Sequence, residues 1–396
     1  MSKRFNLKRQ VFLLGVICSS VFFFSCSNSD DITGGGPTTG KQLSLTINTT
    51  PISRASGDDA SSTQEVFNRL TVGIFSSDGK AVRTIQELTS GTGTGTFTVG
   101  TDGTATANIL TTGLQDGDKI TVAVNAPTGL FSGVQSMTAF NAKTIGIDQA
   151  LATSSEGKTP ATGEATDNIP MYGDGTLSYD QTKSAYTSTV DVQHQVAKIT
   201  VSKVKVDFDQ SGPYSSATFQ PTAFFLINVP DELAFSNVAW TGTKSDLNQG
   251  WKDDVTDKPY YAYLGTVDLG TTYPALKYST DSTENSIAPN RFFYTMPNSD
   301  ATNNTKLVIE GKFSADGSTT TSLVYYPVNI NWIFDNPTAP DGGTLKTVSP
   351  NKNYNCSVTI KTKGSPDPYT PLDPEDVTVN VTVTAFKSVN QNAVFP

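Results

Sequence analysis

Cys26 ends an N-terminal segment whose composition is typical of an export signal. The segment begins with a basic head made of Lys3, Arg4, Lys8 and Arg9. An apolar run, 11–24, follows and is too short to cross a bilayer, which needs roughly 20 apolar residues. Because Ser25 precedes Cys26, we expect residues 1–26 to form a lipoprotein signal peptide and the Cys26 thiol to receive an acyl chain such as palmitate. An ordinary secretory signal with an incidental cysteine is the alternative.

Arg54 is the second residue with predicted chemistry, because it is open to proteolysis. Residues 27–40 are polar and Gly-rich, which is typical of a flexible tether. A short strand pattern follows, and then Arg54 leads into the very polar stretch 55–64 (ASGDDASSTQ). Exposed linkers of this kind are the places where proteases cut. Residues 27–54 therefore read as a tether and propeptide containing one strand.

Catalytic and metal-binding constellations are not visible in the sequence. His194 is the single histidine, and a catalytic base or metal ligand would need partners that the sequence does not offer. The acidic pairs Asp58-Asp59 and Asp253-Asp254 are better explained as solvated loops than as a glycosidase pair. Asp116–Asp118 and Asp174 are candidates for binding calcium, but no adequate oxygen cage is visible in the sequence. We predict no enzyme, no cofactor and no metal.

Composition favours strands. The chain has 396 residues, 36% of them hydrophobic and only 16% charged. Its abundant Thr, Val, Gly and Asn suit pleated strands and turns. The net charge of -9 argues against nucleic acid as a partner, since phosphates demand basic patches. Cys356 is alone once Cys18 lies in the signal and Cys26 is acylated, so no internal disulfide is expected in the mature chain.

Short alternating runs separated by turn residues predict an all-β protein of two β-sandwich domains in tandem. We place the N-terminal sandwich at 55–210 and the C-terminal sandwich at 211–396, because FDQSGPYSSAT (208–218) interrupts the pattern. Asp78-Gly79 predicts a hairpin. The long run 190–206 shifts phase near Val196-Ala197, which predicts a bulge. A short helix is expected near 137–143.

The two ends of the chain carry the cleanest alternations. The early strand places Leu43, Leu45 and Ile47 on one face. The last strand does the same with Val377, Val379, Val381, Val383 and Ala385, and the chain ends in an apolar tip that includes Val394 and Phe395. The last strand is either the final strand of its own domain or a donor strand that completes a neighbouring subunit. Donation requires an acceptor that lacks a strand, and a cut after Arg54 would create one by releasing the early strand.

The sequence as a whole resembles the fimbrillin family of Bacteroidales-type bacteria, the FimA-like subunits of type V pili. The order of several segments carries the resemblance: Phe24-Ser-Cys26, Ser53-Arg54, Leu70-Thr-Val-Gly-Ile-Phe75, Ile120 to Pro127, Ile169-Pro-Met171, Val196 to Val201, Phe293 to Asn298 and Tyr354 to Ile360. The resemblance implies two transthyretin-like, Greek-key sandwiches and an outer-membrane lipoprotein precursor. It also implies a cut between Arg54 and Ala55 by an Arg-specific surface protease.

The same resemblance implies a function. The tail from about Val377 would replace the released strand of the next subunit, and identical or related subunits would join head-to-tail into an adhesive surface fimbria. Host or bacterial surface receptors are its expected targets. His194 stands where the family often has Arg, and Thr295-Met296 replaces a more acidic pattern.

A monomeric, surface glycan-binding β-sandwich lipoprotein is the alternative function. Trp240, Trp251 and the cluster 260–263 (YYAY) would then form a stacking platform. The same aromatic residues are equally suited to a core or a domain interface. Cleavage at Arg54 with polymerisation separates the two hypotheses, because a glycan binder keeps its first strand and stays monomeric.

Overall fold

The structure is a computed structural model that describes residues 41–49, 67–100, 104–151, 169–236, 242, 247–251, 264–265, 273–333, 337–372 and 377–385. Cys26, Arg54, Ala55, Val394 and Phe395 lie outside these residues, as do Trp240 and the cluster 260–263. The described part is almost entirely β-structure, with helices of only four or five residues. The predicted all-β class is confirmed.

The first half of the chain contains ten strands and two short helices among its described residues. Strands β1 to β6 are Lys41–Thr49, Leu70–Phe75, Val82–Ser90, Thr96–Val99, Ala105–Thr111 and Lys119–Val124. Helix α1 (Met137–Asn141), strand β7 (Thr144–Gly146) and helix α2 (Ile147–Leu151) follow. Strands β8, β9 and β10 are Met171–Thr176, Ser178–Asp180 and Ala185–His194. The predicted helix near 137–143 is confirmed as α1, which begins after the N-cap Ser136.

The second half adds twelve strands and one short helix among the described residues. Strands β11 to β16 are Ala197–Val206, Thr218–Ile227, Val229–Pro230, Glu232–Ala234, Leu247–Asn248 and Leu276–Lys277. Helix α3 (Ser282–Asn285) precedes the last six strands. Strands β17 to β22 are Ser286–Ile287, Arg291–Thr295, Lys306–Ser314, Ser322–Asn329, Lys352–Ile360 and Val377–Ala385.

Strands of the first half close into a ring. The order is β1-β5-β4-β3-β2-β6-β8-β10, and β10 pairs with β1 again, so β1 joins the two ends of the sheet. The predicted Asp78-Gly79 hairpin links β2 to β3: Gly79 has a φ of +74°, and the Ser76 amide donates to the Ala81 carbonyl over 2.8 Å. The ring encloses its own apolar cluster, to which β1, β2, β5, β6 and β10 contribute.

Two further sheets build the second half. One contains β17, β18, β11, β21 and β22, with β21 parallel to β11 and antiparallel to β22. The other has the order β16-β12-β19-β20. A larger apolar cluster fills the space between them and extends to Phe75, Phe131 and Phe140 of the first half. Phe131 stacks on Phe140 and meets Phe235 edge-on, which connects the two halves through one continuous core.

The passage from the first sheet to the second differs from the prediction. The run 190–206 was expected to be one bulged strand, but β10 ends at His194 and a separate strand, β11, begins at Ala197. β11 lies before the boundary predicted at 208–218, yet it pairs with β18 and β21 of the second half. The phase shift in the sequence therefore marks a change of sheet. Residues 40–396 form one compact unit, and their division into two domains stays a prediction.

Candidate functional site

Strand β1 is the candidate functional element, because it is held by backbone pairing on both sides. It runs antiparallel to β5, with Leu45 opposite Ala107, and parallel to β10, with Leu45 opposite Ser188. The predicted inward residues Leu43, Leu45 and Ile47 are all 0% exposed. At about 1.5–3 kcal/mol for each fully buried aliphatic side chain, they contribute about 5–9 kcal/mol before ordering costs.

The walls of the groove that holds β1 are made by β5 and β10. Across β5, Ala105 and Ala107 stand opposite Ile47 and Leu45, so small side chains leave room for the large ones of β1. Across β10, Tyr186 and Val190 stand opposite Leu43 and Ile47. The groove accordingly accepts large apolar side chains at every second position, which is the pattern of a single inserted strand.

The outward face of β1 is held weakly. Thr46 and Asn48 are partly exposed, and the Asn48 amide donates to the Asp191 carboxylate over 3.1 Å in an exposed position. The residues between β1 and β2, 50–66, include the predicted cleavage site Arg54. A cut there would break the covalent link between β1 and β2, so that β1 would be retained by non-covalent contacts such as its backbone pairing, its three buried side chains and the Asn48–Asp191 hydrogen bond.

The C-terminal strand β22 lies in a different environment from β1. It pairs with β21 along its full length, from Ile360–Val377 to Lys352–Ala385, and no other described strand pairs with it. The predicted donor residues Val377, Val379 and Val381 are 8%, 8% and 5% exposed and pack into the larger core. Val383 and Ala385 belong to the same strand. In the single subunit, β22 is thus an edge strand whose apolar face is buried in the core of the same subunit.

The acidic residues considered for calcium act as structural links. Asp118 is fully buried and accepts a hydrogen bond from Arg83 Nε over 3.1 Å, and Asp116 accepts one from the Tyr179 amide over 3.0 Å. Within the described ranges, no group of three or more His, Cys, Asp or Glu side chains is placed to hold a metal ion. The helices of those ranges are all too short or too polar to cross a membrane.

Trp251, one of the aromatic residues considered for glycan binding, packs against protein. Its ring is stacked on Phe225 with centroids 6.4 Å apart and meets Tyr325 and Tyr369 edge-on. Together with Ile227 and Val308, these residues form a small cluster on the outer side of the β12–β19–β20 sheet. Trp251 is therefore a packing residue.

Sequence reasoning missed the residues that form the groove. The low-complexity Gly/Thr stretch 91–107 contributes β4 and the start of β5, the antiparallel neighbour of β1. Alternating Ala105, Ala107 and Ile109 was the available signal, since all three are buried. Small residues gave that alternation too little apolar character to stand out.

Comparison with known proteins shows similarity to fimbrial subunits. Residues 42–206 match the family model described as major fimbrial subunit protein (FimA). The fold is similar to that of a fimbrilin from Porphyromonas gingivalis W83, at 17% identity and a TM-score of 0.58, with 89% of this chain and 99% of that chain covered. No curated protein matches the chain.

Two solved structures assigned to cell adhesion are also similar in fold. One, from Bacteroides eggerthii DSM 20697, is 21% identical with a TM-score of 0.55 and covers 89% of this chain and 98% of its own. The other, from Parabacteroides distasonis ATCC 8503, is 14% identical with a TM-score of 0.58 and covers 90% of this chain and 100% of its own. The predicted resemblance to the fimbrillins is confirmed by the family match over residues 42–206 and by the shared fold.

Proposed function

We propose that this protein is a pilin, a fimbrial stalk subunit exported as a lipoprotein precursor and polymerised by strand replacement. The precursor is anchored to the outer membrane through Cys26. An Arg-specific surface protease cuts between Arg54 and Ala55, β1 leaves, and the C-terminal segment of the next subunit takes its place. Identical or related subunits then join head-to-tail into a surface fimbria with adhesive function.

The position of β1 is the observation that carries this proposal. β1 is the strand that joins the two ends of the first sheet, and it precedes Arg54 in the chain. Loss of β1 would expose the backbone groups of β5 and β10 together with the apolar cluster beneath them. Such a groove strongly favours a replacement strand, because backbone pairing supplies affinity and alternating side chains supply register.

The donor is the segment from Val377 to the C-terminus, which includes Val394 and Phe395. Its valines repeat with the period of two that the groove requires. Because β22 pairs with β21 alone among the described strands, its release breaks one ladder of hydrogen bonds, whereas release of β1 breaks two. A contact of this kind, repeated from subunit to subunit, does not close and produces a filament.

Arg54→Ala tests the maturation step. We expect the variant to accumulate as an uncleaved precursor that does not assemble, because β1 stays in its groove. N-terminal sequencing of surface-extracted protein, run beside boiled and unboiled gels, measures both effects. In the unaltered protein we expect an N-terminus at Ala55 and a heat-sensitive ladder.

Lys41→Ala is the matched control, since it removes a cationic side chain from β1 before the cleavage site and leaves Arg54 intact. It should be cut and should assemble as the unaltered protein does. Normal filaments from Arg54→Ala would contradict the maturation step. A lipidated Cys26 on a protein that stays monomeric would instead support the tethered glycan-binding lipoprotein.

A further inference from the structure

The two basic residue types are distributed very unevenly along this chain. Beyond Arg54 the sequence contains nineteen lysines but only three arginines, Arg69, Arg83 and Arg291. Each of the three lies in a strand or directly before one: Arg69 precedes β2, Arg83 is the second residue of β3 and Arg291 is the first residue of β18. The residue that follows each arginine is therefore paired within a sheet.

Backbone pairing protects the peptide bond after each of these arginines. After Arg69, Leu70 is paired on both sides, with Leu88 of β3 and with Val124 of β6. The Arg69 carbonyl itself accepts a hydrogen bond from the Asn125 amide over 2.9 Å. A protease cuts such a segment only after the strand has opened. The corresponding pairs after the other two arginines are Thr84–Ile74 and Phe292–Thr200.

The guanidinium groups of these arginines are engaged as well. Arg83 Nε donates to the buried Asp118 carboxylate over 3.1 Å, and the Arg83 side chain is only 25% exposed. Arg69 Nε donates to the Ala126 carbonyl over 2.9 Å, and the Nε atom of Arg291 is buried. A pocket that recognises arginine uses the same N–H donors. Recognition would therefore first have to break these contacts.

Lysine, in contrast, occupies exposed turns and polar segments. Lys80, in the turn between β2 and β3, and Lys183, in the turn between β9 and β10, have side chains that are 83% and 69% exposed. Lys158 belongs to the polar stretch 153–168, whose composition is similar to that of the stretch after Arg54. An ammonium group is a point charge without the planar, forked donors of a guanidinium. A protease that reads the guanidinium therefore does not cut after these lysines.

We propose that this distribution protects the subunit from the protease that matures it. The fold shields the three arginines beyond Arg54, and lysine supplies the basic side chains of exposed segments. The inference rests on the proposed cut between Arg54 and Ala55. Because the proposed protease acts at the cell surface, the cut subunit stays exposed to it, and one further accessible arginine would divide the fold. Arg54 is then the arginine that this protease reaches without opening a sheet.

Digestion of the unassembled full-length protein with clostripain, an Arg-specific endopeptidase, tests the shielding. Intact-mass spectrometry should show a stable fragment from Ala55 to Pro396. Cuts after Arg69, Arg83 and Arg291 should be at least about a thousandfold slower than the cut after Arg54, because they require a sheet to open. The three cuts should become fast once the protein is unfolded. Lysyl endopeptidase should break the same folded fragment into several pieces.

Two charge-conserving variants separate an exposed side chain from an accessible backbone. Lys158→Arg introduces an arginine into the polar stretch 153–168, and clostripain should make a second rapid cut there. Lys312→Arg is the matched control, because Lys312 is exposed but lies in β19, which is paired with β12 and β20. We expect no new cut after residue 312 in the folded protein.

Several outcomes would overturn the proposal. They are rapid cutting after Arg69, Arg83 or Arg291 in the folded protein, rapid cutting of Lys312→Arg, or an uncut Lys158→Arg, since arginine would then be harmless outside the strands. A fragment that resists lysyl endopeptidase would contradict the role given to lysine. An uncut Arg54 beside three intact arginines would contradict the proposed maturation step and not the shielding.

Discussion

Cys356 is a potentially reactive residue that serves only as a packing residue in the core. It is a free cysteine that is 0% exposed, and it points from β21 into the larger core beside Tyr354 and Val358. Burial raises the pKa of the Cys356 thiol to about 12. Because the thiolate is the nucleophile, the folded protein offers no reactive sulfur at this position.

Alkaline pH should destabilise the protein through this thiol. In the unfolded chain the thiol ionises near its ordinary pKa of 9.0, so its stabilising contribution is complete below pH 9 and is lost as the pH rises toward 12. We expect Cys356 to account for a fall of about 2 kcal/mol in the free energy of unfolding between pH 8 and 10.5. Urea unfolding at the two pH values measures it.

Cys356→Ala is the control for this effect. Burial also raises the pKa of Tyr172 and Tyr354, so some alkaline destabilisation should remain in the variant. The fall between pH 8 and 10.5 should nevertheless be smaller by about 2 kcal/mol. An identical pH dependence in the two proteins would show that the thiol keeps its ordinary pKa in the fold.

At the scale of the element, β1 depends on its three inward side chains. Leu45→Ala should lower the free energy of unfolding of the uncleaved chain by about 2–5 kcal/mol, since it leaves a cavity between β5 and β10. Thr46→Ala, on the partly exposed face, should change it by about 0.5 kcal/mol or less. Urea unfolding compares the two. Equal effects would mean that β1 contributes no buried face.

For β22, the effect expected of a substitution on the apolar face depends on where that face is buried. If β22 served only as a donor strand, Val381→Asp would leave the monomer folded but unable to donate. Val381 is 5% exposed within the core of its own subunit, so a buried carboxylate should destabilise the monomer by about 3 kcal/mol or more. The exposed neighbour Thr382 supplies the control Thr382→Asp. A fully stable Val381→Asp monomer would show that β22 is not needed for the stability of its own subunit.

At the scale of the whole molecule, assembly should require that β1 leave its groove. Thr46 and Thr106 face each other across the antiparallel β1–β5 pair, at a separation that suits a disulfide. In the double variant Thr46→Cys/Thr106→Cys, we expect the oxidised protein to be cut at Arg54 but to stay unassembled. Reduction should restore the heat-sensitive ladder.

The single variant Thr46→Cys controls for the substitution itself and should assemble under both conditions. Cys356 is too deeply buried to compete for the new thiols. Assembly of the oxidised double variant, with its disulfide verified by mass spectrometry, would exclude replacement of β1 as the polymerising step.

The elements themselves were largely predictable from the sequence. Alternation of period two placed β1 and β22 in nearly the bounds that the structure has, because one face of each strand must be apolar to be buried. Asp78-Gly79 gave the hairpin because glycine adopts the positive φ of the turn at little cost. Strand β5 was not predicted because its buried alanines give the alternation little apolar character.

The sequence alone determined the strand-rich class and the faces that the strands bury, since these depend on the type and local spacing of residues. Only the tertiary structure decided which strands become neighbours. The parallel pairing of β1 with β10, the passage of β11 into the second sheet and the contact of Arg83 with Asp118 all depend on it. The reason is physical: backbone hydrogen bonds are the same for every residue type, so partners are selected by how side chains from distant segments fill one core.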